Sequence, residues 1–160
     1  MLTTAQLIAK YGNPVTDTAA FEAKWMTVWV MPDEIHTQIP HLPKAIYLNR
    51  DIIVKTEAVL RALIATGVHT EIKTWDGCFV VRKQRGSTSI SSHAFGISFD
   101  ENAAWNPFRI RKKETDDQWE LIRSQIVQWS PTFLQVWRDA GWFCGADWIQ
   151  RIDGMHFQGF

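Results

Sequence analysis

Between Thr70 and Asp100 the residue pattern changes from helical to extended, and that switch limits the fold more than any other feature of the chain. Three short runs rich in β-branched and aromatic residues, EIKTW, CFVVRK and AFGISFD, are separated by Asp76-Gly77 and by the polar loop RGSTS. Such side chains suit a pleated, half-buried surface, and Asp-Gly between two of the runs predicts a hairpin. Helical patterns lie on both sides. Thr4 to Tyr11 puts Leu7, Ile8 and Tyr11 on one face before Gly12 and Pro14 stop it. A longer helix starts after Asn49, runs a buried stripe through Ile52, Ile53, Val59, Leu60, Leu63 and Ile64, and ends at Gly67. Beyond the extended region, Thr115 with Gln118 forms a capping box for a helix carrying Trp119, Leu121, Ile122, Ile126 and Trp129. Ser130-Pro131 opens the next, through Phe133, Leu134, Val136 and Trp137 to Gly141.

The remaining segments add strands at the edges. Phe21 to Val30 favours a strand at its end after a turn of helix, and Ala45 to Leu48 reads as an edge strand beyond a loop marked by Pro32, Pro40 and Pro43. Met155 to Phe160 forms a final strand. Helices at both ends of a group of short strands predict an α+β fold, a small antiparallel central sheet with helices packed around it, in a single domain over residues 1–160.

Charge narrows the function classes. The chain has 17 basic and 17 acidic residues, so it lacks the cationic surplus that phosphate backbones require, and nucleic acid is not an expected partner. No apolar run approaches the ~18 residues of a membrane span, and MLTTAQLIAKYG has no basic segment followed by a long apolar one. No membrane insertion is expected, and the chain is expected to start in the cytoplasm. Cys78 and Cys144 are too far apart for a C-x-x-C pair and read as reduced, packed thiols. Of nine tryptophans, Trp119, Trp129 and Trp137 have helical spacing beside aliphatic neighbours and belong in a core, whereas Trp105 and Trp148 are candidates for a groove wall.

The histidines are few enough to weigh singly. His36 and His41 flank Pro40 in a loop and read as solvent-exposed, and His69 sits at a helix end where it can cap carbonyls. His93 is delivered by a polar loop just before an apolar strand that ends in Asp100. It either caps a turn there or contributes, with Asp100 and His156, two imidazoles and a carboxylate. That set leaves one position of a tetrahedral zinc ion open, as catalytic sites require. Asp153, three residues before His156, is placed to take a proton from an attacking water. Competing chemistries lack their motifs: no G-x-S-x-G surrounds Ser91 or Ser92, and RKQRGSTS is not a phosphate loop.

The run SSHAFGISFD resembles the S-x-H-x-x-G-x-A-x-D motif of the zinc D-alanyl-D-alanine carboxypeptidase and L-alanyl-D-glutamate endopeptidase family, the VanY-like and phage endolysin peptidases. Ser91, His93, Gly96 and Asp100 match, and Ser98 stands where alanine is common. GWFCGADWIQRIDGMHFQ resembles the C-terminal motif of the phage branch, with Cys144 for a tryptophan and Ala146 for a glycine. The resemblance implies one Zn²⁺ on His93, Asp100 and His156, with Asp153 as general base. It implies a basic residue that holds the substrate, at Arg82 or its rival Arg85, with Ser91 and Trp148 lining the pocket. The implied substrate is the stem peptide of bacterial peptidoglycan. The cut is expected at L-alanyl-D-glutamate, as in an endolysin, or alternatively at D-alanyl-D-alanine. A third alternative is a non-catalytic muropeptide-binding or virion-associated protein. The implied enzyme is a monomer with no wall-binding domain, and it acts on the wall after release from the host cytoplasm through a holin-type pore.

Overall fold

Thr3 and Gln6 close a capping box on α1 (Thr4–Tyr11) in the computed structural model, which describes residues 1–84 and 86–160. Asp17 caps α2 (Thr18–Trp25), which runs straight into β1 (Met26–Val30), so both the helix turn and the strand expected in this stretch are present. The proline-marked segment differs from expectation. It contains a short helix, α3 (Asp33–His36), in which Ile35 is buried and the half-buried His36 ring sits 3.1 Å from the Leu42 carbonyl; His41 is exposed as read. β2 (Ala45–Asn49) pairs antiparallel with the whole of β1. Asn49 accepts from the Asp51 N–H to start a 3-10 turn that leads into α4 (Ile53–Ala65), whose buried face is Thr56, Val59, Leu60 and Leu63.

β3 (Trp75–Gly77) and β4 (Ser98–Glu101) enter the central sheet, and β5 (Phe108–Ile110) follows. Thr115 with Gln118 makes the predicted capping box on α5 (Asp116–Ile126), and Ser130 caps α6 (Pro131–Asp139) through the Phe133 N–H. β6 (Phe143–Cys144), β7 (Arg151–Asp153) and β8 (His156–Gln158) complete the chain. The four-stranded antiparallel sheet has the order β3-β4-β8-β6, while β5 and β7 form a separate antiparallel pair. Small antiparallel sheets with helices around them make an α+β fold, as the sequence predicts.

The predicted hairpin at Asp76-Gly77 does not form. Asp76 accepts instead from the Thr74 hydroxyl and the Ala103 N–H, which ties it to the loop after β4. Gly77 takes φ 125° at a register shift in the β3–β4 pairing, where a residue with a side chain would be strained. CFVVRK is therefore irregular, joined to its neighbours by a bridge between Lys83 and Ile90.

The tryptophans of the helical region pack as read. Trp129 stacks on Phe133 at 4.1 Å and Trp137 on Phe157 at 4.2 Å, which glues α6 to the back of the central sheet. Phe133, Trp137 and Phe157 are fully buried, each burial contributing roughly 2–3 kcal/mol. Both cysteines are free and buried. No helix among the described residues is long and apolar enough to cross a membrane.

Candidate metal centre and active site

A tight turn turns the loop histidine inward. Ser91 accepts from the His93 N–H at 3.3 Å and opens a 3-10 turn over Ser92–Phe95. Gly96 closes the turn at φ 66°, against Met26 and the Asn49 backbone, where a side chain has neither the conformation nor the room. The spacing of Ser91, His93 and Gly96 is thus a folding instruction: cap, candidate ligand, left-handed stop. Two residues on, β4 begins, and Asp100 lies directly opposite His156 of β8. Residues facing each other across antiparallel strands point to the same side, so this register brings carboxylate and imidazole together.

The three side chains converge on one point. His93 Nε2 is 3.1 Å from Asp100 Oδ1 and 3.1 Å from His156 Nδ1, and His156 Nδ1 is 3.0 Å from Asp100 Oδ1. Both histidines are 4% exposed. Their outer nitrogens are already engaged: His93 Nδ1 meets the Cys78 carbonyl at 2.6 Å, and His156 Nε2 meets Ser92 Oγ at 3.3 Å and Gln158 Oε1 at 3.5 Å. A neutral imidazole that donates from its outer nitrogen presents a lone pair from the inner one. Two inner lone pairs and a carboxylate oxygen at about 3 Å repel each other unless a cation lies among them. A tetrahedral zinc ion with bonds of about 2.0–2.1 Å holds its ligand atoms about 3.3–3.4 Å apart, so the triangle fits such an ion after a small expansion. His93, Asp100 and His156 could therefore hold a metal ion, and Cys144 is not part of the group. Burial opposes the Asp100 charge; when no cation lies among the three groups, inner N–H groups of the two imidazoles donate to its oxygen instead, and that donation outweighs burial and holds the carboxyl below its ordinary range.

A cavity of about 420 Å³ opens on this centre. Asp153 lines it from the end of β7, and burial raises its carboxyl above the ordinary value. Among the described residues none hydrogen-bonds to that carboxylate. Gly145 packs against its backbone, where an added methyl would overlap the Asp153 carbonyl oxygen. Arg82, Ser91 and Trp148 also line the cavity, although the Ser91 hydroxyl is committed to capping its turn. Trp148 stands 5.3 Å from the His156 ring. Arg85 lies outside the described residues. Trp105, the other candidate for a groove wall, does not line the cavity; it is 38% exposed, with the Lys73 ammonium 6.0 Å from its ring.

Two contributors escape the sequence reading. Ser92 and Gln158 both engage His156 Nε2, and Gln158 is itself held by donation to the Phe160 carbonyl at 2.6 Å. A ring that would bind a metal through one nitrogen is thereby fixed through the other. The only available signals were the second serine of SSH and the polar residue two positions after His156, whose facing within a strand follows from period two.

Comparison with known proteins agrees with this geometry. Residues 85–159 match a family model described as D-alanyl-D-alanine carboxypeptidase. The matched segment carries His93, Asp100, His156 and Asp153, together with the capping Ser91 and the closing Gly96. The family match and the buried His-Asp-His group thus coincide in one segment of the chain. No curated protein and no solved structure matches the chain.

Proposed function

We propose that the chain is a zinc peptidase that hydrolyses the stem peptides of bacterial peptidoglycan, cutting between L-alanine and D-glutamate as endolysin-type endopeptidases do. The observation that carries this reading is the convergence of three metal-ligand atoms, at 3.0–3.1 Å from one another, in a cavity that also holds the buried carboxylate of Asp153. Zinc bound by His93, Asp100 and His156 would supply Lewis-acid polarisation of the scissile carbonyl and acidify the attacking water.

The chain's own groups supply the rest. Asp153 takes the proton from the attacking water and passes it to the leaving amine. Its raised proton affinity suits both transfers, because a base must also serve as the acid in the second half of the reaction. The Arg82 guanidinium, in the same cavity, offers fixed positive charge to the carbonyl oxygen as it becomes an oxyanion. Trp148 gives the substrate an apolar wall beside the centre. In this reading the enzyme works as a monomer and reaches the wall from the host cytoplasm through a holin-type pore.

A second reading, cleavage at D-alanyl-D-alanine as a carboxypeptidase, is favoured by the description of the matched family. Digestion of purified peptidoglycan with mass analysis of the released fragments tests both. The endopeptidase frees stem peptides that begin with D-glutamate, and the carboxypeptidase frees single D-alanine. Zinc-loaded protein that releases neither would make this a muropeptide-binding scaffold and overturn the proposal.

A further inference from the structure

The cavity contains a second guanidinium that the mechanism leaves unused. Arg151 and Asp153 are two residues apart on β7, and the intervening Ile152 is fully buried. Alternation along a strand therefore sends Arg151 and Asp153 to the same side, about 6.5–7 Å apart at the backbone, and both line the cavity. The Arg151 guanidinium is fixed from two directions. Its carbon lies 4.4 Å over the Trp148 ring, and its Nη1 donates to Gln84 Oε1 at 3.3 Å. Trp148 in turn stands against His156, so the guanidinium is indexed to the metal centre through one aromatic ring. Among the described residues no carboxylate forms an ion pair with it. Asp153, on the same strand face, feels this charge without closing an ion pair, and a held cation of that kind facing a cavity is a ready-made carboxylate site, because the planar fork of Arg matches two oxygens at once.

The position of that cation specifies which carboxylate. Asp153 delivers its proton to the leaving amine, and Arg151 flanks Asp153 on the same strand face. The substrate group closest to a leaving amine is the α-carboxyl of the leaving residue, one carbon away from the nitrogen. In a stem peptide D-glutamate is extended through its γ-carboxyl, so its α-carboxyl stays free unless the cell amidates it. A terminal D-alanine likewise carries a free α-carboxylate. We infer that Arg151 binds the α-carboxylate of the residue whose amine leaves, and that the enzyme therefore selects stem peptides with a free carboxylate over those with a carboxamide. This inference rests on the peptidase reading above and assigns the two guanidiniums separate tasks, Arg82 on the scissile carbonyl and Arg151 on the leaving residue.

Two synthetic stem peptides that differ only in the α-carboxylate or α-carboxamide of D-glutamate test it, with an analogous pair ending in D-alanyl-D-alanine. Wild-type enzyme is expected to favour the acid in kcat/KM by about 10–100-fold, as one bidentate charged hydrogen-bond pair provides. Arg151→Gln is expected to bring that ratio close to one, chiefly by raising KM for the acid, while Arg151→Lys keeps part of it. Zinc content and a thermal melt of each variant report whether the site is still assembled. Should Arg151→Gln fail to fold, a several-fold drop of the ratio in Arg151→Lys carries the test. Wild-type enzyme with no preference, or Arg151→Gln with the wild-type ratio, overturns the inference while the peptidase reading stands. Wild-type enzyme that cuts none of the four peptides overturns that reading, and this inference with it.

Discussion

Replacing Gly145 with alanine tests how Asp153, the proposed general base, is held. A methyl at this position would lie 2.9 Å from the Asp153 Cβ and overlap its carbonyl oxygen, whereas ordinary contacts begin near 3.4 Å. The obstructing atoms are backbone and Cβ, which cannot rotate away, so the start of the turn after β7 has to retreat by roughly 0.5–1 Å. β7 has three residues, paired with β5 as Phe108–Asp153, Arg109–Ile152 and Ile110–Arg151, and Asp153 is the last of them, so the shift falls on that end of the strand. Displacing a reacting group by about 1 Å costs on the order of 10²-fold in rate, and overpacking of this kind costs about 1–3 kcal/mol of stability. The proposed metal ligands stand on the turn after Ser91, on β4 and on β8, so zinc binding should persist. Gly145→Ala is expected to keep one zinc and lose about 10²-fold in kcat/KM on a stem peptide, with zinc content, urea unfolding and kinetics measured on one preparation. Wild-type turnover with unchanged stability would refute the claim that Gly145 sets Asp153.

Other consequences are as direct. Asp153→Asn keeps the shape and the zinc but removes the proton acceptor, so turnover should fall by about 10²–10⁴-fold while metal analysis is unchanged. Ser92→Ala removes one partner of the His156 outer nitrogen and should weaken zinc binding by about 10-fold or more, read by competition with a chelating dye. Glu101 is fully buried with neither carboxyl oxygen hydrogen-bonded among the described residues, and burial pushes it up to about 8. The unfolded chain releases that proton near 4.5, so between these values the folded state holds the extra proton. Stability should therefore be fully present below about 4.5 and fall by about 1.4 kcal/mol per pH unit as pH rises towards 8. Urea melts across this range should show a slope that Glu101→Gln reduces.

The candidate metal centre was legible because its motif encodes local backbone chemistry as well as candidate ligands. Ser91 caps, Gly96 takes the left-handed stop, and the strand that follows places Asp100 opposite His156. Helix starts at Thr115 and Ser130 were legible for the same reason, since a cap is decided within three residues. The Asp76-Gly77 hairpin failed because its signal is equally local while the outcome was not. The Ala103 N–H, 27 residues away, takes the Asp76 carboxylate, and Gly77 serves a bulge against β4. Arg82 nevertheless reaches the cavity, because its carbonyl accepts from the Ser91 N–H and Lys83 bridges Ile90, which lays this segment beside the histidine turn. Ser92 and Gln158 gave only faint signals in the sequence, and Arg151 gave none. What they do depends on rings brought near by tertiary packing, and no residue-type pattern announces that.

The central claim is that hydrolysis depends on one zinc ion held by His93, Asp100 and His156. Its most direct test is to strip the protein with a chelator, add zinc back in measured steps and follow cleavage of a stem peptide at each step. Activity should be absent from the stripped protein, rise in proportion to added zinc and level off at one equivalent, with His156→Ala showing no such titration. Full cleavage by the stripped protein, or a zinc titration unaltered in His156→Ala, would contradict the account.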